Sequence, residues 1–328
     1  LHQFSRDEFD YIVVDEFHHA AAETYRRLIN YFEPKFLLGL TATPERTDGG
    51  DLLGLCQENL VFRYDLFEGI EQDRLSPFHY FGVPDEVDYS NITWRSSRFD
   101  PESLTNAVAT RARALNALEQ YQKRGGSRTI AFCCSVRHAD FMSDFFNEHG
   151  VTSVAVHSQP SSAPRSEALE RLEQGDVNVV CAVDMFNEGV NVPNIDTVML
   201  LRPTESSILW AQQIGRGLRK AEGKSHLTII DYIGNHRVFL TKPRTLLGLG
   251  ASPAELQLAL KQIQEKTLHL PEGCEVTYDL EAIEILRGLL PSGRGSAIQE
   301  YYEDFRGRLG VRPTAIEAFH DGYNPRAT

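Results

Sequence analysis

From Arg128 onward, apolar β-branched runs and helical patterns take turns almost without a break. "RTIAFCC" (128–134) is followed by a helix over Val136–His149, "VTSVAVH" (151–157), a helix over Pro164–Gln174 and "VNVVCAV" (177–183). "IDTVMLL" (195–201), a helix over Ser206–Arg219 and "SHLTIID" (225–231) continue the series. A strand that is apolar along its whole length is buried on both faces, and helices of this length between such strands mean βαβ crossovers. The chain is therefore an α/β protein with a parallel sheet covered by helices. In such sheets ligands are held at the carboxyl ends of the strands.

A shorter copy of the pattern opens the chain. "YIVVDE" (11–16) and "KFLLGLTAT" (35–43) read as buried strands on either side of a helix around Ala20–Tyr31. Between the two blocks lie a strand at Pro77–Val83 and a helix over Pro101–Arg124, which "RGGSR" (124–128) ends. After about residue 245 the strand pattern stops, and "SPAELQLALKQIQEK" (252–266) follows helical periodicity behind a Ser-Pro start. The expected division is 1–75, 76–245 and a mostly helical extension over 246–328.

Composition removes some function classes. The apolar runs are strand-length, well short of the roughly 20 residues that span a bilayer, so no membrane association is expected. Five scattered cysteines without a Cys-x-x-Cys pair argue against a zinc site or a disulfide framework and suit a reducing cytoplasm. A net charge of −13 gives no support to general charge-driven binding of nucleic acid. A narrow site of backbone N–H groups and a few arginines remains open to a phosphate chain.

Four stretches carry candidate chemistry. Asp15 and Glu16 end the first strand, where one carboxylate can hold Mg²⁺ and the other orient a water that attacks a phosphate. The bland alternative is a strand end turning polar as it meets solvent. "TATPERTDG" (41–49) also begins at a strand end and is equally an ordinary turn. "FNEGVNVPNID" (186–196) offers Gly189 for close backbone approach and Asn187 and Asn191 as hydrogen-bonding groups, or is a polar loop. "QQIGRGLRK" (212–220) ends a helix with Arg216 and Arg219 three residues apart, expected on one face. Paired arginines suit a γ-phosphate, although basic residues also favour helix ends through the dipole. "GLRKAEGKS" (217–225) imitates a phosphate-binding loop, but five residues rather than four separate its glycines and it precedes a strand. It is a turn.

The order of these pieces resembles the superfamily 2 helicases of DEAD/DEAH type over roughly residues 10–235, in the branch related to type III restriction (Res) subunits. "FNEGVNVPNIDTVMLLRPTESSILWAQQIGRGLR" carries most of the likeness, together with "FGVPDEVDYSNITW" (81–94) and "TIIDYIGNHRVFL" (228–240). The resemblance implies two RecA-like domains of the P-loop NTPase type, here one partial and one complete, and ATP and Mg²⁺ as ligands. It implies that Asp15 contacts Mg²⁺ through water, that Glu16 positions the hydrolytic water and that His18 couples the nucleotide to the interdomain cleft. Thr41 and Thr43 would relay between ATP and nucleic acid, and Gly189 and Asn191 would lie near phosphate. Gln212, Arg216 and Arg219 would face the γ-phosphate, while Ser135, Arg137 and His157 would touch the nucleic-acid backbone.

The P-loop half of the first domain has no counterpart in the chain. The expectation is a fragment of an ATP-dependent helicase or translocase on nucleic acid, DNA ahead of RNA, hydrolysing little ATP by itself and partnered by the absent half-domain. A translocating restriction subunit and a non-catalytic nucleic-acid-binding RecA-like module are the alternatives.

Overall fold

The computed structural model describes residues 3–17, 23–41, 52–56, 59–95, 98–183, 194–204, 206–250 and 252–291, with short pieces between 301 and 318. His18, Thr43, Gly189 and Asn191 of the expected site lie outside the described residues. The chain divides into two compact units at Tyr64–Asp65.

In the first unit, β1 (Tyr11–Val14) pairs in parallel with β2 (Phe36–Gly39), Val14 lying opposite Gly39, and α1 (Glu23–Tyr31) connects them in sequence. A short α2 (Leu52–Leu55) follows. Side chains of a strand alternate between faces. Ile12, Val14 and Leu37 accordingly pack with Phe17 and Ile29, while Tyr11 and Val13 on the other face are 72% and 60% exposed.

The second unit opens with α3 (Leu66–Glu71), started by a reciprocal capping box between Asp65 and Glu68. β3 (Phe78–Pro84) leads into a hairpin of β4 (Trp94–Arg95) and β5 (Arg98–Phe99), then α4 (Pro101–Val108) and α5 (Arg111–Arg124). The series continues with β6 (Thr129–Phe132), α6 (Val136–Glu148), β7 (Ser153–Val156), α7 (Arg165–Gln174) and β8 (Val179–Ala182). β9 (Thr197–Leu200), α8 (Ser207–Gly217), β10 (Leu227–Ile233), α9 (Thr241–Leu246), α10 (Pro253–Gln264), β11 (Glu275–Tyr278) and α11 (Leu280–Gly288) complete it. Seven strands form one sheet in the order β11-β3-β10-β9-β6-β8-β7, every neighbouring pair parallel. β6, β8, β9 and β10 are buried at every position, as their unbroken apolar runs require.

Three expectations change. The helix expected over Pro101–Arg124 is two helices, because Thr110 leaves the helical conformation and its side chain caps α5 by accepting from the Arg113 N–H. The segment expected as a helical extension contributes β11 to the edge of the main sheet, with Tyr278 opposite Gly82. A Cβ at Gly82 would sit 2.1 Å from the Tyr278 ring, so the missing side chain is what lets this edge strand dock. The division between units falls at Tyr64–Asp65 rather than after residue 75, because α3 packs with the core of the second unit.

The core of the second unit encloses a charged network around Lys242. Lys242 and Asp231, both with fully buried side chains, form an ion pair, and the Tyr80 hydroxyl donates to the other Asp231 oxygen at 2.8 Å. Lys242 Nζ also donates to the Tyr232 carbonyl at 3.2 Å. Burial pushes the Asp231 carboxyl up, and the lysine opposes that push. No helix among the described residues is long and apolar enough to cross a membrane. All five cysteines are free thiols.

Candidate functional site

In the first unit, the acidic pair follows β1 directly. Asp15 is exposed and accepts a hydrogen bond from the Glu16 N–H at 2.9 Å. Glu16 has φ of +49°, the left-handed region that a side-chain-bearing residue rarely occupies. Phe17 holds it there: its ring is 3% exposed, and its N–H donates to the Leu40 carbonyl at 2.8 Å. A Cβ at Gly39 would stand 2.4 Å from that ring, so the glycine of β2 makes the socket. The register that pairs Val14 with Gly39 brings half-buried Thr41, just past β2, to the same carboxyl edge as Asp15 and Glu16.

That donor set can be tested against Mg²⁺. Among the described residues no group of three or more His, Cys, Asp or Glu side chains could hold a metal ion. Mg²⁺ commonly takes one or two carboxylates and fills its shell with waters and substrate phosphates. Asp15 with its neighbour Glu16 fits an ion that arrives with a nucleotide.

In the second unit, α8 presents Gln212 and Arg216. The Gln212 side-chain nitrogen is shielded from solvent and has no hydrogen-bond partner among the described residues. The expectation that Arg216 and Arg219 share a helical face is corrected. α8 ends at Gly217, and Arg219 lies in an extended bridge with Leu75. The reason is a clamp from Ser76, remote in sequence, and from Lys224, five residues on. Ser76 N–H donates to the Leu218 carbonyl at 2.8 Å, the Ser76 hydroxyl donates to the Arg219 carbonyl at 3.2 Å, and Lys224 Nζ donates to the same carbonyl at 3.0 Å. Lys224 also donates to the Gly217 carbonyl. The lysine of the false phosphate loop thus caps the arginine helix, where a cation meets the negative end of the dipole. Burial lowers its pKa to about 8.

The remaining expected residues sit at the carboxyl edge of the main sheet. Ser135 caps α6, its hydroxyl accepting from the His138 N–H at 3.2 Å and from the Thr105 hydroxyl at 2.9 Å. Arg137, exposed in the first turn, donates to the side-chain Oδ1 of Asn106. His157 departs from the surface contact expected of it. Its side chain is fully buried, Nε2 lies 2.9 Å from Asp140 Oδ1 and Nδ1 accepts from the Gln159 N–H at 3.2 Å. It positions Asp140 and the turn after β7. A cavity of about 280 Å³ lined by Arg128, Asp196 and Lys224 opens at the amino edge of the sheet, away from these groups.

Two family models match the chain: the type III restriction enzyme Res subunit over residues 1–46 and the helicase conserved C-terminal domain over 111–221. A Saccharomyces cerevisiae protein named as the ATP-dependent helicase IRC3 is 30% identical over 278 residues, covering 80% of this chain and 40% of the relative. The fragment structure of an HsdR subunit of a type I restriction enzyme from Vibrio vulnificus is 28% identical with a TM-score of 0.55, covering 70% of this chain and 45% of that one. By these matches the chain is similar to superfamily 2 helicases related to Res subunits. The type ISP restriction-modification enzyme LlaBIII, solved bound to DNA, shares the fold at 17% identity and a TM-score of 0.57, over 90% of this chain and 24% of that one.

The chain spans less than half the length of these relatives. Its sheets are RecA-like, and Ser135, Arg137 and Thr41 lie at their carboxyl edges. The capping role of Lys224 was missed. Its signal was a lysine seven residues beyond the helix end, which means nothing until the chain has turned back.

Proposed function

We propose that this chain supplies two parts of a nucleic-acid-dependent ATPase, a helicase or translocase that moves on DNA ahead of RNA. The observation that carries the reading is the Asp15–Glu16 pair, locked at the end of β1 by Phe17 with Glu16 in a left-handed conformation. Strain of this kind persists where the surroundings impose it, and it gathers at functional sites. Asp15 would hold, through water, the Mg²⁺ that travels with the nucleotide, and that ion neutralises charge on the transferred phosphate. Glu16 orients the water that attacks, and His18 links the pair to the coupling surface. Thr41 and Thr43 relay between nucleotide and nucleic acid, with Gly189 and Asn191 beside phosphate.

Gln212, Arg216 and Arg219 belong to the γ-phosphate. The Lys224 and Ser76 clamp fixes the backbone of Arg219, which reduces the reorganisation its guanidinium needs as charge develops. Ser135 and Arg137 contact the nucleic-acid backbone, and His157 holds Asp140 of the same helix, α6. A second reading, the translocating subunit of a restriction-type endonuclease, has the likeness to HsdR behind it.

ATP turnover tests the assignment. In the full-length gene product Glu16→Gln is expected to abolish turnover while ATP still binds, and the 328-residue chain alone is expected to hydrolyse little. Near-normal turnover in the variant would remove Glu16 from the reaction.

A further inference from the structure

The hairpin of β4 and β5 stands at the carboxyl edge of the main sheet, and the ATPase residues leave it without a role. It lies in "FGVPDEVDYSNITWRSSRFD" and leans on "IGNHRVF" from the end of β10. Its root is held firmly. Asn235 accepts from the Tyr89 N–H at 2.7 Å and donates to Asp88 Oδ1 at 2.7 Å. A Cβ at Gly234 would meet the Tyr89 ring at 2.3 Å, so only glycine lets that ring close in. The Tyr89 hydroxyl donates at 2.7 Å to Asp85, which forms a buried ion pair with Arg113 at 2.9 Å. The Asp100 N–H donates to the Thr93 carbonyl at 2.8 Å and closes the hairpin.

On this base Trp94 is fixed but not covered. Its ring packs edge-on against Phe99 at 4.7 Å and tilts against His236 at 4.6 Å, yet the residue stays 37% exposed. Phe99 beneath it is 3% exposed. Arg95 and Arg98 face one another across the hairpin and are both exposed. Of the neighbouring carboxylates, Asp85 is held inside the fold by Arg113, while Asp88, bonded to Ser90 and Asn235, and Asp100, bonded to Ser103 at the start of α4, are exposed. The hairpin thus combines an uncovered indole with two exposed arginines in the next pair of the ladder, with the Asp88 and Asp100 carboxylates nearby. α4 then runs from Asp100 to Thr105 and Asn106, which hold Ser135 and Arg137. Six residues of helix put the hairpin root about 9 Å along the axis from that pair.

We propose that the β4–β5 hairpin is a base-stacking contact for single-stranded nucleic acid, with Trp94 taking the face of a base and Arg95 and Arg98 the flanking phosphates. The proposal rests on the nucleic-acid reading above and assigns a contact outside the residues that reading uses. A rigid aromatic beside cationic groups accepts any base through its π-face and holds the strand through charge. The "GNH" turn and the Asp88–Tyr89 segment serve to present that aromatic. Alternating apolar and charged chemistry over so short a hairpin matches a strand of bases and phosphates better than an extended peptide.

The chain has two tryptophans, and Trp210 is 1% exposed, so quenching of the emission by a stacked base reports on Trp94. An oligothymidylate 20-mer titrated into the chain at low salt is expected to quench that emission. By anisotropy of the labelled 20-mer, Trp94→Ala is expected to weaken binding about 5- to 150-fold. Trp94→Phe, which preserves the packing on Phe99 and guards against misfolding, should keep most of the affinity and lose the quenching. Arg95→Ala with Arg98→Ala should flatten the slope of log affinity against log salt by about 1.4. Unchanged affinity in Trp94→Ala, with no quenching in the unaltered chain, would overturn the stacking contact and leave the nucleic-acid reading standing. Failure of the unaltered chain to bind any oligonucleotide would overturn both.

Discussion

At the scale of single residues, the second unit tolerates little exchange where charge is buried. Lys242 and Asp231 are both wholly enclosed, and the Tyr80 hydroxyl completes the shell of the carboxylate. Removing one partner of such a pair strands the other in a medium that solvates it poorly, at a cost of about 3–5 kcal/mol. Lys242→Met is therefore expected to lower the melting temperature by about 6–20 °C in a thermal melt. Asp231→Asn added to it should recover much of the loss, because the amide carbonyl still accepts from Tyr80 and no charge is left alone. A melt of Lys242→Met that matches the unaltered chain would show the pair to be dispensable. The same logic separates Lys224, whose burial leaves its pKa at about 8, from a surface lysine: it donates to two carbonyls at the end of α8.

At the scale of elements, β11 depends on a single absent side chain. Gly82→Ala would press a methyl group into the Tyr278 ring, and overpacking of this kind costs about 1–3 kcal/mol. Hydrogen exchange is expected to show faster amide exchange confined to β11 and α11, with β6, β8 and β9 unchanged. Uniformly faster exchange across the sheet would mean that the edge strand and the core unfold together. The central strands were legible in the sequence because burial on both faces writes an unbroken apolar run. "EVTY" was not, since only Tyr278 of its four residues is buried and its strand character comes from pairing with β3. The end of α8 was misread for a related reason. Arg216 and Arg219 look like one helical face until Ser76, from a distant part of the chain, and Lys224, five residues on, draw Arg219 into an extended bridge. The acidic pair was legible as a strand end, but the left-handed turn at Glu16 depends on Phe17 finding the gap above Gly39.

At the scale of the whole molecule, each unit presents its proposed functional groups at the carboxyl edge of a parallel sheet: Asp15, Glu16 and Thr41 on the first, Ser135, Arg137 and the Trp94 hairpin on the second. Arg216 and Arg219 lie in and just beyond α8. The central claim is that these parts serve one nucleic-acid-dependent ATPase. The most direct measurement is ATP turnover by the full-length gene product with and without single-stranded oligonucleotide, for the unaltered protein and for Arg219→Ala. Oligonucleotide should raise turnover in the unaltered protein, and Arg219→Ala should cut it about 10³-fold or more while nucleotide binding persists. Turnover indifferent to both the oligonucleotide and the loss of Arg219 would contradict the claim.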